Sequence, residues 1–262
     1  MRINRNRALE AYQNYAASFN AQDVKIRLKI EHTYRVAALA EQIAASLSLS
    51  KDDVDLAWLL GLLHDLGRFP QIRKYGTFND ALSENHAAMS GNLLFQEGRI
   101  RDYIDDDSED NLIEKAVRLH SAYALPKGLS ERERMFAKIL RDADKVDILK
   151  VNCDFPLNEI YDVPLEQFRT AGVSEAVIQD VRQERTVDHR HCETCMDSLL
   201  AHICLVYGLV FQESIREVRK QGYLKKMLGF ESDNPEAQKA LAETDRCVHA
   251  YMEKRLADQT NA

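Results

Sequence analysis

The sequence predicts an all-α protein, and three observations carry that expectation. Only 10 Gly and 5 Pro punctuate 262 residues, too few for the many turns of a sheet-rich fold and well suited to long helices with short connections. Apolar residues recur at three- and four-residue spacing over long stretches. Two of those stretches open with Ser followed three residues later by an acidic residue, a helix-start pattern. With 45% apolar and 29% charged residues, the chain reads as globular.

The elements follow in order. From Asp23 to Ser48, Val36, Leu39, Ala40, Ile43 and Leu47 share one stripe, and His32, four residues before Val36, falls on it. Ser50 and Asp53 cap the next helix, Val54 to Leu63, which is apolar nearly all round and therefore central. It ends in His64-Asp65. Residues 68–80 read as a loop because Pro70, Gly76 and Asn79-Asp80 are breakers. Ser83 is expected to cap a helix carrying His86, Ser90, Leu93 and Leu94. The acidic run Asp105 to Asp110 lacks the Gly and closing Glu of a calcium loop, and reads as a surface loop entering a helix N-terminus. That helix places Leu112, Ala116 and His120 on one stripe. Ser130 and Glu133 open a long helix in which Phe136, Leu140, Asp144 and Ile148 recur at four-residue spacing. Pro156 and Pro164 mark a change of character, after which helices are expected over 196–220 and 235–255. The chain divides accordingly into a core of residues 1–150, with its N-terminal helix, and a helical extension of residues 151–262 packed on it.

A formal charge of −7 argues against a broad nucleic-acid or acidic-membrane surface, so a phosphorylated substrate needs locally supplied positive charge. Met1 to Arg5 is not followed by an apolar run, no stretch is long enough to span a bilayer, and five unevenly spread cysteines suit a reducing compartment. The expectation is a cytoplasmic protein with no nucleic-acid and no membrane partner.

Four ionisable residues, His32, His86, His120 and Asp144, sit on apolar stripes of separate helices, and His64-Asp65 closes the most apolar one. A buried histidine alone means little, but an unpaired buried carboxylate costs several kcal/mol, so Asp65 and Asp144 need cations or donors. Convergence of all six on metal satisfies this, since imidazole nitrogen and carboxylate oxygen suit divalent first-row metals. Six ligands exceed what one metal with an open position needs and fit two metals sharing a carboxylate. Adjacent residues on a helix point about 100° apart, so the pair can feed two sides of one metal, or the Asp can bridge to a second. Water held between two such metals becomes a hydroxide-like nucleophile, which is phosphoester hydrolysis chemistry.

His32, His64-Asp65 and Asp144 resemble the H…HD…D signature of the HD-domain metal-dependent phosphohydrolases, over about residues 25–150. His86, in Asn85-His86-Ala87-Ala88-Met89-Ser90-Gly91, and His120 resemble the two extra histidines of its bimetallic branch. The branch includes HD-GYP cyclic-dinucleotide phosphodiesterases and HD diadenosine tetraphosphate hydrolases. The resemblance implies an HD helical bundle, with one metal on His32, His64, Asp65 and Asp144 and a second on Asp65, His86 and His120. The metals implied are two divalent transition-metal ions, iron or manganese first, then nickel or zinc. Arg68 stands where bimetallic relatives carry a phosphate-contacting Lys and single-metal deoxynucleotidase-like members an acidic residue. It is the expected catalytic and substrate-binding cation beside Asp65, with Lys145 and the pair Arg73-Lys74 as further positive charge. The G-Y-P segment of the cyclic-dinucleotide branch is absent, as is the acidic run of alarmone hydrolases.

The expected activity is hydrolysis of a phosphoester or phosphoanhydride in a small, nucleotide-like metabolite through a metal-bridging hydroxide. Two other classes share the ligand set: a mixed-valent di-iron oxygenase like myo-inositol oxygenase, and an inactive ligand-sensing protein. His189-Arg190-His191-Cys192-Glu193-Thr194-Cys195 has metal-binding residue types but not two separated pairs, and is read as cysteine packing with exposed histidines. The stripe Leu199, Ile203, Val206 and Val210 reads as core, or as the subunit interface of a homodimer.

Overall fold

A computed structural model describes residues 1–257, and no strand occurs among them. The chain forms two compact units that divide after Asp144. The first holds α1 (Arg5–Ala17), α2 (Val24–Ser46), α3 (Lys51–Leu63), α4 (Arg68–Tyr75), α5 (His86–Gly91), α6 (Ile100–Tyr103) and α7 (Asp110–Leu119). The division falls within α8 (Glu131–Asp154).

The capping pattern sets where the main helices begin. Asp23 accepts from the Lys25 N–H at 2.8 Å and opens α2. Ser50 accepts from the Asp53 N–H at 3.2 Å to open α3. Ser130 and Glu133 form a reciprocal pair, each side chain accepting from the other's backbone N–H, and so open α8. From Leu56 to Leu63 every residue of α3 is buried. Each of its leucines contributes about 1.5–3 kcal/mol by leaving water, which makes α3 the anchor of the unit. Along α2 it packs so closely that a Cβ on Gly61 would come within 2.5 Å of the Ala37 Cα. Only glycine fits there.

Two local expectations in this unit fail. Residues 68–75 form α4 rather than a loop, because Pro70 is the third helical residue, where a backbone N–H has no intrahelical partner to lose. Gly76, at φ +69°, then ends the helix in the left-handed region. The helix carrying His86 is capped by Asn85, whose side chain accepts from the Ala88 N–H at 2.8 Å. Ser83 instead donates to the Asn79 carbonyl and accepts from Gln71.

The second unit contains α9 (Leu157–Tyr161), α10 (Leu165–Thr170), α11 (Glu175–Arg182), α12 (Cys195–Ile203), α13 (Gln212–Gln221), α14 (Tyr223–Leu228) and α15 (Pro235–Ala257). α15 packs against α11, α13 and α14. The helix expected over 196–220 is broken: α12 passes through a 3-10 turn, Cys204–Gly208, into extended backbone before α13. Lys145 donates to the Gly208 carbonyl at 3.0 Å, so an acceptor that a continuous helix would use internally is taken. Leu199, Ile203 and Val206 are buried, whereas Val210 beyond the break is exposed. No helix among the described residues is long and apolar enough to cross a membrane.

Candidate metal centre

The first unit brings together seven of the eight predicted site residues. His32 lies mid-way along α2, His64 is the C-cap of α3 with Asp65 next, and His86 is the first residue of α5. His120 caps the C-terminus of α7 and Asp144 lies on α8. The four histidines and Asp65 are all at most 5% exposed. Arg68, the first residue of α4, lies one turn beyond Asp65. The eighth, Lys145, places its ammonium on Gly208 in the second unit.

Asp65 divides the centre in two. Its Oδ2 lies 3.6 Å from His32 Nε2 and 3.5 Å from His64 Nε2. Asp144 Oδ1 closes that group at 3.2 Å from His32 Nε2 and 3.8 Å from His64 Nε2. The Oδ1 of Asp65 faces the other way, 3.7 Å from His86 Nε2 and 3.6 Å from His120 Nε2. His64 is also within reach of the Asp65–His120 group.

The ring nitrogens are assigned by their partners. His64 Nδ1 lies 2.8 Å from the Gly61 carbonyl and His120 Nδ1 2.7 Å from the Val117 carbonyl, and a carbonyl only accepts. His86 Nδ1 donates to Asp80 Oδ2 at 2.7 Å. In the neutral rings the Nε2 lone pairs therefore point inward. Their approaches, 3.3 Å between His64 and His32 and 3.0 Å between His86 and His120, bring lone pairs rather than a donor and an acceptor together at the second pair. Burial lowers the His64 imidazole to about 4; burial and the nearby Arg68 charge lower that of His86 to about 3.

The donor set fits divalent metal. Ligands bonded to one ion at about 2.0–2.2 Å lie roughly 3–3.5 Å apart, close to the separations of the His32, His64, Asp65 and Asp144 group. Asp65 Oδ1 is buried and makes no hydrogen bond, so an acceptor facing two imidazole nitrogens is left for a cation. The carboxyls stay ionised. Burial pushes Asp65 up, but the Lys29 ammonium and the imidazoles outweigh it and hold the group well below the usual carboxylate range. Asp144 is likewise held down, burial being outweighed by the His32 contact and the neighbouring imidazoles.

Three further residues complete the centre without having stood out in the sequence. Lys29, 6% exposed, donates to Asp65 Oδ2 at 2.7 Å, with its ammonium 5.2 Å from the Phe78 ring centroid. Its signal was there: a lysine three residues before His32, on the same helical face. Asp80 and Gln71 lay in the stretch read as a loop. Asp80 Oδ1 accepts from Gln71 Nε2 at 2.8 Å and Arg68 Nη1 at 3.1 Å. Its carboxyl is lowered to about 2, burial being outweighed by His86, Arg68 and Gln71. Arg68 Nη1 also donates to the Phe78 carbonyl at 2.6 Å, while its Nε is buried without a hydrogen bond, 3.8 Å from Asp65 Oδ1.

The stretch from His189 to Cys195 is not among the metal-holding groups of the described residues. His189 is exposed, His191 pairs with Asp180 at 2.6 Å, and Cys192 and Cys195 are half-buried. Gly67 sets the approach of α5 to this centre, since a Cβ there would meet the His86 carbonyl at 2.4 Å. Residues 30–149 match the family model described as HD domain. No curated protein and no solved structure gives a match.

Proposed function

We propose that the chain, whose residues 30–149 match the HD-domain family model, is a member of the two-metal branch of the HD superfamily of metal-dependent phosphohydrolases. The activity proposed is hydrolysis of a phosphoester or phosphoanhydride in a small, nucleotide-like metabolite. The observation that carries this reading is the division of Asp65, one oxygen toward His32 and His64 and the other, unpartnered, toward His86 and His120. Divalent transition metals in such a donor set, iron or manganese first and nickel or zinc next, supply an acidified water and Lewis-acid charge for phosphoryl oxygens.

The chain's own residues do the remainder. Asp65 ties the two ligand groups together, and the backbone contacts of His64 and His120 keep their Nε2 lone pairs turned inward. Arg68 is the phosphate contact: Asp80, Gln71 and the Phe78 carbonyl hold its Nη1, leaving a buried, unengaged Nε–H toward the centre. Lys29 and Arg68, against different oxygens of Asp65, provide the local positive charge that a chain of net charge −7 must supply to an anionic substrate. Lys145, engaged with Gly208, has no part in this reading.

The test is a panel of phosphorylated compounds assayed for phosphate or nucleotide release with added manganese or ferrous iron, alongside His64→Ala. Metal-dependent release that disappears in the variant is expected. No turnover, or turnover indifferent to His64, would overturn the reading. Oxygen uptake with a polyol or phosphonate would move the centre to the oxygenase class.

A further inference from the structure

Three of the four histidines at the centre have a described partner on Nδ1, and those partners differ in kind. His64 and His120 both stand at helix C-termini, where the last carbonyls lack intrahelical donors. Each ring uses the carbonyl three residues earlier, Gly61 or Val117. His86 stands at the opposite kind of end. It is the first residue of α5, and the backbone groups left free there are N–H donors, which cannot accept from an imidazole. An acceptor must come from elsewhere in the chain, and Asp80 supplies it at 2.7 Å.

We propose that Asp80 is a positioning residue that holds His86 in its ligating tautomer and ties it to Arg68, so that the second metal position and the phosphate grip form one unit. This rests on the two-metal reading above. The carboxylate serves both sides at once. Oδ2 takes His86 Nδ1 and, at 3.3 Å, Asn85 Nδ2, while Oδ1 takes Gln71 Nε2 at 2.8 Å and Arg68 Nη1 at 3.1 Å. Gln71 is wholly buried on α4 and also donates to Ser83 Oγ and the Glu84 carbonyl, which fixes the turn that carries Asp80. With both oxygens occupied, the ring is left one tautomer, with the Nε2 lone pair toward Asp65 Oδ1. The carboxylate also makes that nitrogen a stronger ligand. Asparagine could not replace it, because a single amide oxygen accepts from His86 or from the Arg68–Gln71 pair but not from both.

The experiment titrates the full chain, stripped of metal by chelation, with Mn²⁺ by calorimetry and elemental analysis, for the wild type and Asp80→Asn. The wild type should bind two ions. In the variant one ion should bind as before and the other about 10–100-fold less tightly. Inorganic phosphate, added with both positions saturated, should also bind less tightly to the variant. A second ion held as in the wild type, or both ions weakened alike, would overturn the proposal. A wild type that binds fewer than two ions would overturn the two-metal reading itself, and would do so before any variant is made. If Asp80→Asn does not fold, ¹⁵N spectra of the wild-type imidazoles decide: protonation of His86 on Nδ1 supports the proposal and protonation on Nε2 overturns it.

Discussion

The two halves of the centre are built from different material. His32, His64 and Asp144 come from α2, the end of α3 and α8, helices of 23, 13 and 24 residues. His86 comes from a six-residue helix, and the ring is held by a side chain from a 3-10 turn. The first half is carried by long helices, two of which, α2 and α3, pack against each other. In the second, His120 caps the ten-residue α7, and His86 is positioned by a hydrogen-bonded turn whose order depends on few groups. Helix packing makes a binding position rigid, whereas a turn makes it adjustable and links it to whatever else the turn holds, here Arg68.

The largest expected effect comes from the residue common to both halves. Asp65→Ala should abolish metal-dependent hydrolysis, by on the order of 10³-fold or more, and lower the metal content of both positions. Elemental analysis showing one half fully loaded would mean that the halves do not share Asp65. Next, Arg68→Ala should raise KM for the substrate by up to about 100-fold, the equivalent of the ~1.5–3 kcal/mol of a charged hydrogen bond, while Mn²⁺ still binds the first half as before. Unchanged KM would remove Arg68 from the phosphate.

Two glycines sharpen the contrast further. Gly61→Ala pushes a Cβ against Ala37 in the α2–α3 contact, and Gly67→Ala pushes one against the His86 carbonyl. Each should cost about 1–3 kcal/mol by denaturant titration. Only Gly67→Ala should selectively weaken the second ion, and equal metal binding by the two variants would erase the distinction between the halves.

The last effect is in pH. The metal-free folded protein keeps His64 and His86 neutral down to about 4 and 3, whereas unfolded histidine takes up its proton near 6.5. Between those values the unfolded state binds more protons, so stability falls as pH falls from 6.5 towards 4, by at most about 1.4 kcal/mol per unit for each ring. Thermal melts of the chelated protein from pH 7 to 5 check the sign; a rising melting temperature on acidification would contradict it.

Much of the first unit was legible because its signals are local. The Ser50 and Ser130 caps lie within a few residues of the helices they open, and His32, His120 and Asp144 announce themselves by sharing a stripe with buried apolar residues. Where the outcome depended on a distant partner, local rules failed. Pro70 reads as a breaker unless it falls in the first turn of a helix, and Ser83 reads as a cap until Gln71 claims its hydroxyl. The periodicity of Leu199, Ile203 and Val206 runs past Gly208, but the α-helix ends at Ile203 in a 3-10 turn, and the Gly208 carbonyl at the end of that turn takes the Lys145 ammonium.

The sequence by itself determined which histidines and aspartates fall on the apolar faces or at the ends of their helices. Periodicity, charge cost and capping are properties of a few consecutive residues, and they needed no knowledge of neighbours. Only the tertiary structure decided which oxygen of Asp65 faces which pair of histidines, that Lys29 lies against one of them, and that Asp80 serves His86 and Arg68 together. Those are choices of orientation at single atoms. They are set when side chains from α2, α4, α5, α7 and the turn at Asp80 close on one point, and no spacing along the chain encodes them.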